Sequence, residues 1–353
     1  MKELKLVGAY GSPYSRKMRA LLRYRRIPFR WILQGSAWDV GIPPVPVALI
    51  PVLVFPGDNG GPETAMIDST FQIARLESMF RERSIVPRDP ALAFLQSLVE
   101  DYGDEWLTKP MFHYRWSYAA DIHKASHVLP LDRDLNLGPE QAGKLASMFA
   151  DRQIGRLGVV GSNQTTAAVI EASYRRLLAV LDAHLAGGQK FLMGERPGAG
   201  DFGLFGQLVQ LTQFDPTPSA IAAEQAPRVV SWVSWMEDLS WLEVAGPGDS
   251  GESGDSGELG WISRDAIGAT LRAFLVEIGR VYVPFLIANA QALAANAAQV
   301  ECEIDGRRWM QRPFPYQGKC LKWLREGHAA LNASDRRFVD DTLAGTGCEA
   351  LFQ

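Results

Sequence analysis

The apolar positions change period several times along the chain, and each change marks an element. Residues 4–10 form a short apolar run that reads as a strand, and residues 16–26 set apolar against basic side chains at helical spacing. Between them stands Ser12-Pro13-Tyr14-Ser15. Ser12 carries the side chain of an N-cap and Pro13 suits the first helical position, so a strand is expected to turn abruptly into a helix there. Residues 47–55 make a second apolar run that reads as a strand with Pro51 inside it. An interior strand tolerates proline poorly, and a cis bond before Pro51 at a strand start accounts for it. Residues 57–61 then read as a hairpin turn into a short strand at 63–67, and Asp68-Ser69 as the cap of an amphipathic helix ending near Phe80. Two helix N-termini thus flank one proline-bearing strand, and the unpaired N–H groups at such ends stabilise anions and thiolates.

Beyond Pro87-Arg88-Asp89-Pro90 the pattern is helical, with Leu92, Leu95, Leu98, Val99, Tyr102 and Trp106 on one stripe. Met111-Phe112-His113-Tyr114-Arg115-Trp116-Ser117-Tyr118 follows, mixing aromatic bodies with polar tips as small-molecule pockets do; the same aromatics would serve equally as core. Residues 165–185 form another amphipathic helix, and Asp201 stands where a carboxylate would pair with the free N–H groups of a helix start, a structural role. Residues 245–258 hold glycine, serine and four acids without an apolar anchor, and read as a flexible linker or loop. Residues 264–299 are helical in pattern, with Pro284 expected to kink or split the helix. Val300-Glu301-Cys302-Glu303-Ile304 alternates, turns at Asp305-Gly306 and returns through Arg307-Arg308-Trp309-Met310, a β-hairpin pattern. A loop at 312–319 and two short helices are expected to close the chain.

Composition narrows the functional classes. The chain has 353 residues, enough for two or three units, and its net charge of −4 gives no support for a nucleic-acid or anionic-membrane partner. The basic stripe Arg16, Lys17, Arg19, Arg23, Arg25, Arg26 reads as a solvated helix face. The three cysteines, Cys302, Cys320 and Cys348, match no zinc or CxxC spacing, and so sparse a set fits a reducing cytosol. The chain passes straight into its first strand, and no apolar run is long enough to span a membrane, so a cytoplasmic location is expected. His123 and His127 lie one helical turn apart near His113, but no carboxylate or cysteine completes a ligand spacing, and no metal site is assigned.

Four segments in this order resemble the glutathione S-transferase family. They are Ser12-Pro13-Tyr14-Ser15-Arg16-Lys17-Met18-Arg19, Ile50-Pro51-Val52-Leu53, Ile67-Asp68-Ser69-Thr70 with Ile73-Ala74-Arg75-Leu76-Glu77, and Gly194-Glu195-Arg196-Pro197-Gly198-Ala199-Gly200-Asp201-Phe202. The resemblance covers roughly the first 240 residues. It implies an α/β thioredoxin-like domain at 1–86, an all-α helical-bundle domain at 91–244 and a homodimer. The acidic linker at 245–260 and a mainly helical extension at 261–353 lie outside it.

The resemblance also implies glutathione as cosubstrate. Ser12 would give its hydroxyl to the sulfur, with Tyr10, Tyr14 and Ser15 as alternatives. Ile50, before the cis Pro51, would pair with the peptide backbone of the ligand's cysteine. Asp68 and Ser69 would hold the γ-glutamyl end, and Tyr14 belongs to the same site. Tyr10, His113 and Tyr114 would face a small hydrophobic electrophile. Chemically, a free thiol has a pKa of about 8.5, and a hydroxyl donor at a helix N-terminus is the environment that lowers it. Two other roles compete: a glutathione-binding or scaffold protein without turnover, and a thiol reductase, which the absence of cysteine at Ser12 and Ser15 disfavours. Gly198 departs from the usual Ser or Thr cap and leaves only the Asp201 half of a capping box.

Overall fold

The computed structural model describes residues 3–57, 61–244 and 260–353. The first domain is a four-stranded sheet flanked by helices. β1 (Leu4–Gly8) runs into α1 (Pro13–Tyr24), β2 (Phe29–Leu33) returns parallel to β1, and β3 (Val52–Phe55) and β4 (Thr64–Met66) pair antiparallel before α2 (Ser69–Met79). The spatial order β2-β1-β3-β4 is the thioredoxin-like arrangement that the sequence predicts. Ser12 caps α1, with Pro13 in its first turn. The Ile50–Pro51 bond is cis. The second strand prediction is too long, because pairing begins only at Val52. Pro51 has no N–H to donate, and Val47 and Leu49 before it lie more than half exposed, so residues 47–50 have no face to bury. The tip of the predicted turn at 57–61, residues 58–60, and the predicted linker at 245–258 lie outside the described residues.

The second domain is helical. It comprises α3 (Pro90–Glu105), α4 (Thr108–Ser117), α5 (Ala119–Val128), α6 (Pro139–Ile154), α7 (Ala167–Ala186), α8 (Ala199–Val209), α9 (Pro216–Gln225) and α10 (Pro227–Glu237). α8 is its fully buried axis. Gly203 lets it touch α3, since a Cβ there would come within 2.9 Å of the Glu100 carbonyl oxygen; Gly206 lets α1 approach, with the Pro13 carbonyl at the same distance. At the start of α8, Asp201 accepts from the backbone N–H groups of Gly198 and Leu192, both at 2.9 Å. This is the structural role expected of it.

The basic stripe of α1 is not a solvated face. Arg16 and Arg19 both pair with Glu237 at the end of α10, and Arg23 donates to the Glu237 carbonyl oxygen at 3.2 Å. Arg26 reaches the Ser240 carbonyl oxygen at 2.7 Å, and Arg25 pairs with Glu77 at 2.6 Å. Arg16, Arg19, Arg23 and Arg26 meet α10 at its carbonyl end, which carries partial negative charge, or the residues just beyond it, so this part of the stripe joins the two domains, while Arg25 stays within the first.

The extension continues the same core. α11 (Ala269–Ala294) runs through Pro284 as one helix, so of the expected kink or split the split does not occur. Half of its residues are buried, from Leu271 to Ala292, so packing on several sides holds the helix where the proline removes a backbone hydrogen bond. The predicted hairpin is present as β5 (Val300–Ile304) and β6 (Arg307–Gln311). Its two turn residues, Asp305 and Gly306, have φ of 53° and 71°, the pair of left-handed residues that a type I′ turn requires. Trp309 from this hairpin lies 5.3 Å from Trp106, ring centre to ring centre. The loop expected at 312–319 is instead largely the start of α12 (Pro315–Ala330), and α13 (Ala333–Leu343) follows.

The acidic inner face of α3 lies where the extension meets both domains. Burial pushes the Glu105 carboxyl up to about 8, with the charge of Asp101 adding to the effect, and Gln317 of α12 donates to it at 2.9 Å. An acid whose folded pKa is raised stabilises the fold fully below its unfolded value, near 4.5, and that contribution is lost as pH rises through about 8. The melting temperature should therefore fall between those limits, and Glu105→Gln should flatten the slope in a calorimetric pH series.

Candidate active site

The chain turns sharply at residues 9–12, where the Ser12 N–H donates to the Ala9 carbonyl oxygen at 3.1 Å. Ser12 has extended backbone geometry, and its Oγ accepts the Ser15 N–H at 3.2 Å. This occupies a lone pair and leaves the hydroxyl proton to donate elsewhere. α1 has no acid in its own first turn, so its free N–H groups face the turn without a carboxylate from the helix itself; the Asp132 carboxylate lies at the Tyr10 N–H.

The other sequence candidates for the thiolate separate by direction. Ser15 is fully buried, and its Oγ accepts the Ala9 N–H at 3.3 Å beneath the turn. Tyr14 donates its hydroxyl to the Asp104 carbonyl oxygen at 2.9 Å, and burial raises its pKa well above the usual value, with Glu105 and Asp104 adding. Tyr10 stays 39% exposed, its ring 5.8 Å from Trp31 and 4.9 Å from the Arg19 guanidinium. Ser12 and Tyr10 are thus the two hydroxyls on the open side of the turn.

The second helix N-terminus is arranged differently. Asp68 sits at φ 75°, outside the range that side chains other than glycine prefer, and its carboxylate accepts the Thr70 N–H at 3.2 Å. Its other oxygen accepts the Tyr316 hydroxyl from α12 at 2.6 Å. Ser69 Oγ lies between Lys17 Nζ at 3.3 Å and Asp104 Oδ2 at 3.2 Å, and Lys17 pairs at 2.6 Å with both Asp104 and Glu100. Burial alone would lower the Lys17 pKa, but these two carboxylates outweigh it and hold the ammonium charged. Between the two helix starts, the Pro51 carbonyl accepts from Gln72 Nε2 at 2.9 Å, which ties the cis-proline strand to α2.

His113 and Tyr114 are not at this turn. Side chains two apart on a helix point about 200° from each other. Arg115 is the residue of α4 that faces the turn, with Nη1 donating to the Gly11 carbonyl oxygen at 2.8 Å. His113 instead lies against Ser162 Oγ at 2.8 Å and Glu171 at 3.2 Å, and Tyr114 stacks on Tyr118 at 5.5 Å, only 1% exposed. The assignment of these two side chains to an electrophile wall is therefore corrected: they belong to the core between α4 and α7. Leu129, from the helical part, also lies against the turn, with one methyl 2.6 Å from where a Cβ at Gly11 would stand.

The profile for the glutathione S-transferase N-terminal domain matches residues 6–84, and that for the C-terminal domain matches residues 163–243. These two stretches carry the N- and C-terminal domains of the glutathione S-transferase family. Both matched stretches carry residues described above: Ser12, Pro51, Asp68 and Ser69 in the first, Asp201 in the second. α3 and α4, which supply Asp104 and Arg115, lie between the matches, and the extension lies beyond them.

Among solved structures, a glutathione S-transferase from Methylobacterium radiotolerans, in complex with glutathione sulfonate, is similar at 17% identity and a TM-score of 0.39. It covers 67% of this chain and 91% of its own. A tau-class enzyme from mango, Mangifera indica, shows 20% identity and a TM-score of 0.38, covering 68% and 93%. A family member from Pseudomonas fluorescens with two glutathione molecules bound shows 16% identity and a TM-score of 0.36, covering 66% and 87%. No curated protein matches the chain. Among the described residues, no helix is long and apolar enough to cross a membrane.

Proposed function

We propose that this chain is a glutathione transferase that activates the glutathione thiol at Ser12 and presents it to a small hydrophobic electrophile. The observation that carries the reading is the Ser12 hydroxyl. Its oxygen is already engaged by the Ser15 N–H, so its proton can point to a sulfur placed above the N-terminus of α1. Stabilising the thiolate lets the sulfur attack carbon. The electron pair of the new S–C bond comes from the thiolate, and the acceptor's leaving group or π system takes up the displaced pair. Ile50 would pair with the ligand's backbone. The ligand's α-amino-acid end would meet the start of α2, where Ser69 sits between the Lys17 ammonium and the Asp104 carboxylate, a pair complementary in sign to a carboxylate and an ammonium. Tyr10, beside Trp31, would line the acceptor side. A cytoplasmic location and a homodimer belong to this proposal through the family resemblance.

A second reading, a glutathione-binding or scaffold role without turnover, is favoured by Tyr316, whose hydroxyl already occupies Asp68 at the end where the γ-glutamyl group would lie. Calorimetric titration with glutathione tests both readings. Saturable binding is expected, and Ser69→Ala should weaken it by about tenfold, the value of one hydrogen bond to a charged group. Absence of binding by the wild-type chain would sink the transferase reading; binding without acceleration of any electrophile in a panel would favour the second.

A further inference from the structure

The turn before Ser12 is held from the other domain by side chains that no sequence motif marks. The Tyr10 carbonyl oxygen accepts from Gln210 Nε2 at 2.8 Å, and the Gly11 carbonyl oxygen accepts from Arg115 Nη1 at 2.8 Å. Two consecutive carbonyls, immediately N-terminal to the Ser12 amide, are thus satisfied by the helical domain rather than by their own strand. Arg115 then donates to Gln210 Oε1 at 2.7 Å, and its Nε and Nη2 clasp Asp215 at 2.8 Å and 2.9 Å. Arg115 is 3% exposed, and Gln210 and Asp215 are fully buried.

The backbone of α8 is altered to make this possible. After Val209 the helix widens into a π-turn over Gln210–Phe214, and the Asp215 N–H donates to the Gln210 carbonyl oxygen at 2.9 Å. In an α-helix, residues five apart lie about 140° from each other. The i→i+5 closure brings Gln210 and Asp215 round to the same side, where one guanidinium meets both. Four of the five Arg115 donors are used, in the planar fork that only arginine offers. The charge of Arg115 is cancelled by Asp215, so the cluster adds little net field at Ser12. What it sets is position.

We infer that Arg115 and Gln210 are positioning residues for thiol activation, fixing the Tyr10 and Gly11 carbonyls so that the Ser12 hydroxyl is aimed at the sulfur. The inference rests on the assignment of Ser12 given above. Gln210 supplies the most direct test, because Gln210→Met removes the donor to Tyr10 at similar volume, while Gln210→Glu keeps the acceptor for Arg115, loses the donor and adds a buried carboxylate beside Asp215. Arg115→Lys keeps the charge beside Asp215, but a single ammonium cannot serve Gly11, Gln210 and Asp215 together.

The full-length variants would be compared with wild type for glutathione affinity by calorimetry, for the ionisation of bound glutathione by ultraviolet thiolate absorbance, and for kcat and KM with an activated chloronitrobenzene. Affinity is expected to stay within about twofold. The pKa of the bound thiol should rise by about one unit, so that kcat falls roughly tenfold at neutral pH and recovers as the pH is raised. Glutathione binding with an unmoved thiol pKa in Gln210→Met and Gln210→Glu would overturn the positioning role and leave the transferase reading intact. Parallel losses of affinity, melting temperature and rate without a shifted pH profile would overturn it too, in favour of simple domain packing. Failure of the wild-type chain to bind glutathione is a different result, and removes the reading on which the inference stands.

Discussion

Lys17→Met should destabilise the protein by about 3–5 kcal/mol at neutral pH, as expected when one partner of a buried ion pair is removed. Lys17 is fully buried, and its ammonium is the only cation placed between Glu100 and Asp104 among the described residues, 2.6 Å from each. Methionine fills much of the volume but leaves two carboxylates close together with hydroxyl partners alone, Thr70 on Glu100 at 3.0 Å and Ser69 on Asp104 at 3.2 Å. Like charges in a medium that screens them poorly cannot both stay ionised, so one is expected to take up a proton. The defect should accordingly shrink as the pH is lowered, which separates it from loss of packing. Urea unfolding of wild type and variant at two pH values measures this, and Lys17→Met with Asp104→Leu should recover part of the loss. A single-variant cost below 1 kcal/mol would show that the pair contributes nothing net.

The placement of Lys17 shows where reading the sequence alone stops. Its stripe on α1 has the amphipathic pattern of a solvated face, and that pattern does not say whether the polar side meets water or another domain. The partners that decide it lie far along the chain: Glu100 is 83 residues away, Asp104 is 87, and Glu237 is 221 from Arg16. Signals that act within a few residues were legible. The Ser12 and Asp68 caps, the cis Pro51 and the Asp305-Gly306 turn are each fixed by local backbone chemistry, and each lies where the sequence puts it.

The site shows the same division. His113, Tyr114 and Arg115 are consecutive, and aromatic or polar character alone does not tell which of them faces the turn; the register of α4 does, and it selects Arg115. Gln210 and Asp215 were invisible for a further reason. Their joint direction depends on a π-turn, for which the stretch Gln210-Leu211-Thr212-Gln213-Phe214 carries no marker. The one local hint is Asp215 before Pro216, a residue type suited to a helix start, and it points to α9 rather than to the active-site turn. Tyr316 reaches Asp68 across 248 residues, from an extension that lies beyond both matched stretches.

Ser12→Ala is expected to lower kcat by about 10²-fold with glutathione affinity nearly unchanged, the signature of a donor that matters for the charged sulfur rather than for holding the ligand. Alanine also removes the cap to Ser15, at a cost of about 1 kcal/mol to the fold, too little to account for the rate. The two effects can be separated, since Ser12→Thr retains both cap and donor and should keep much of the activity. The pH profile carries the distinction further. Without the hydroxyl, the bound thiol should ionise at higher pH, so the variant should regain rate as the pH is raised while wild type stays level. Tyr10, the other hydroxyl on the open side, makes the contrary prediction: if it stabilised the thiolate, Tyr10→Phe would shift the profile and Ser12→Ala would not. Measuring both variants over the same pH range assigns the donor whichever way the profiles fall.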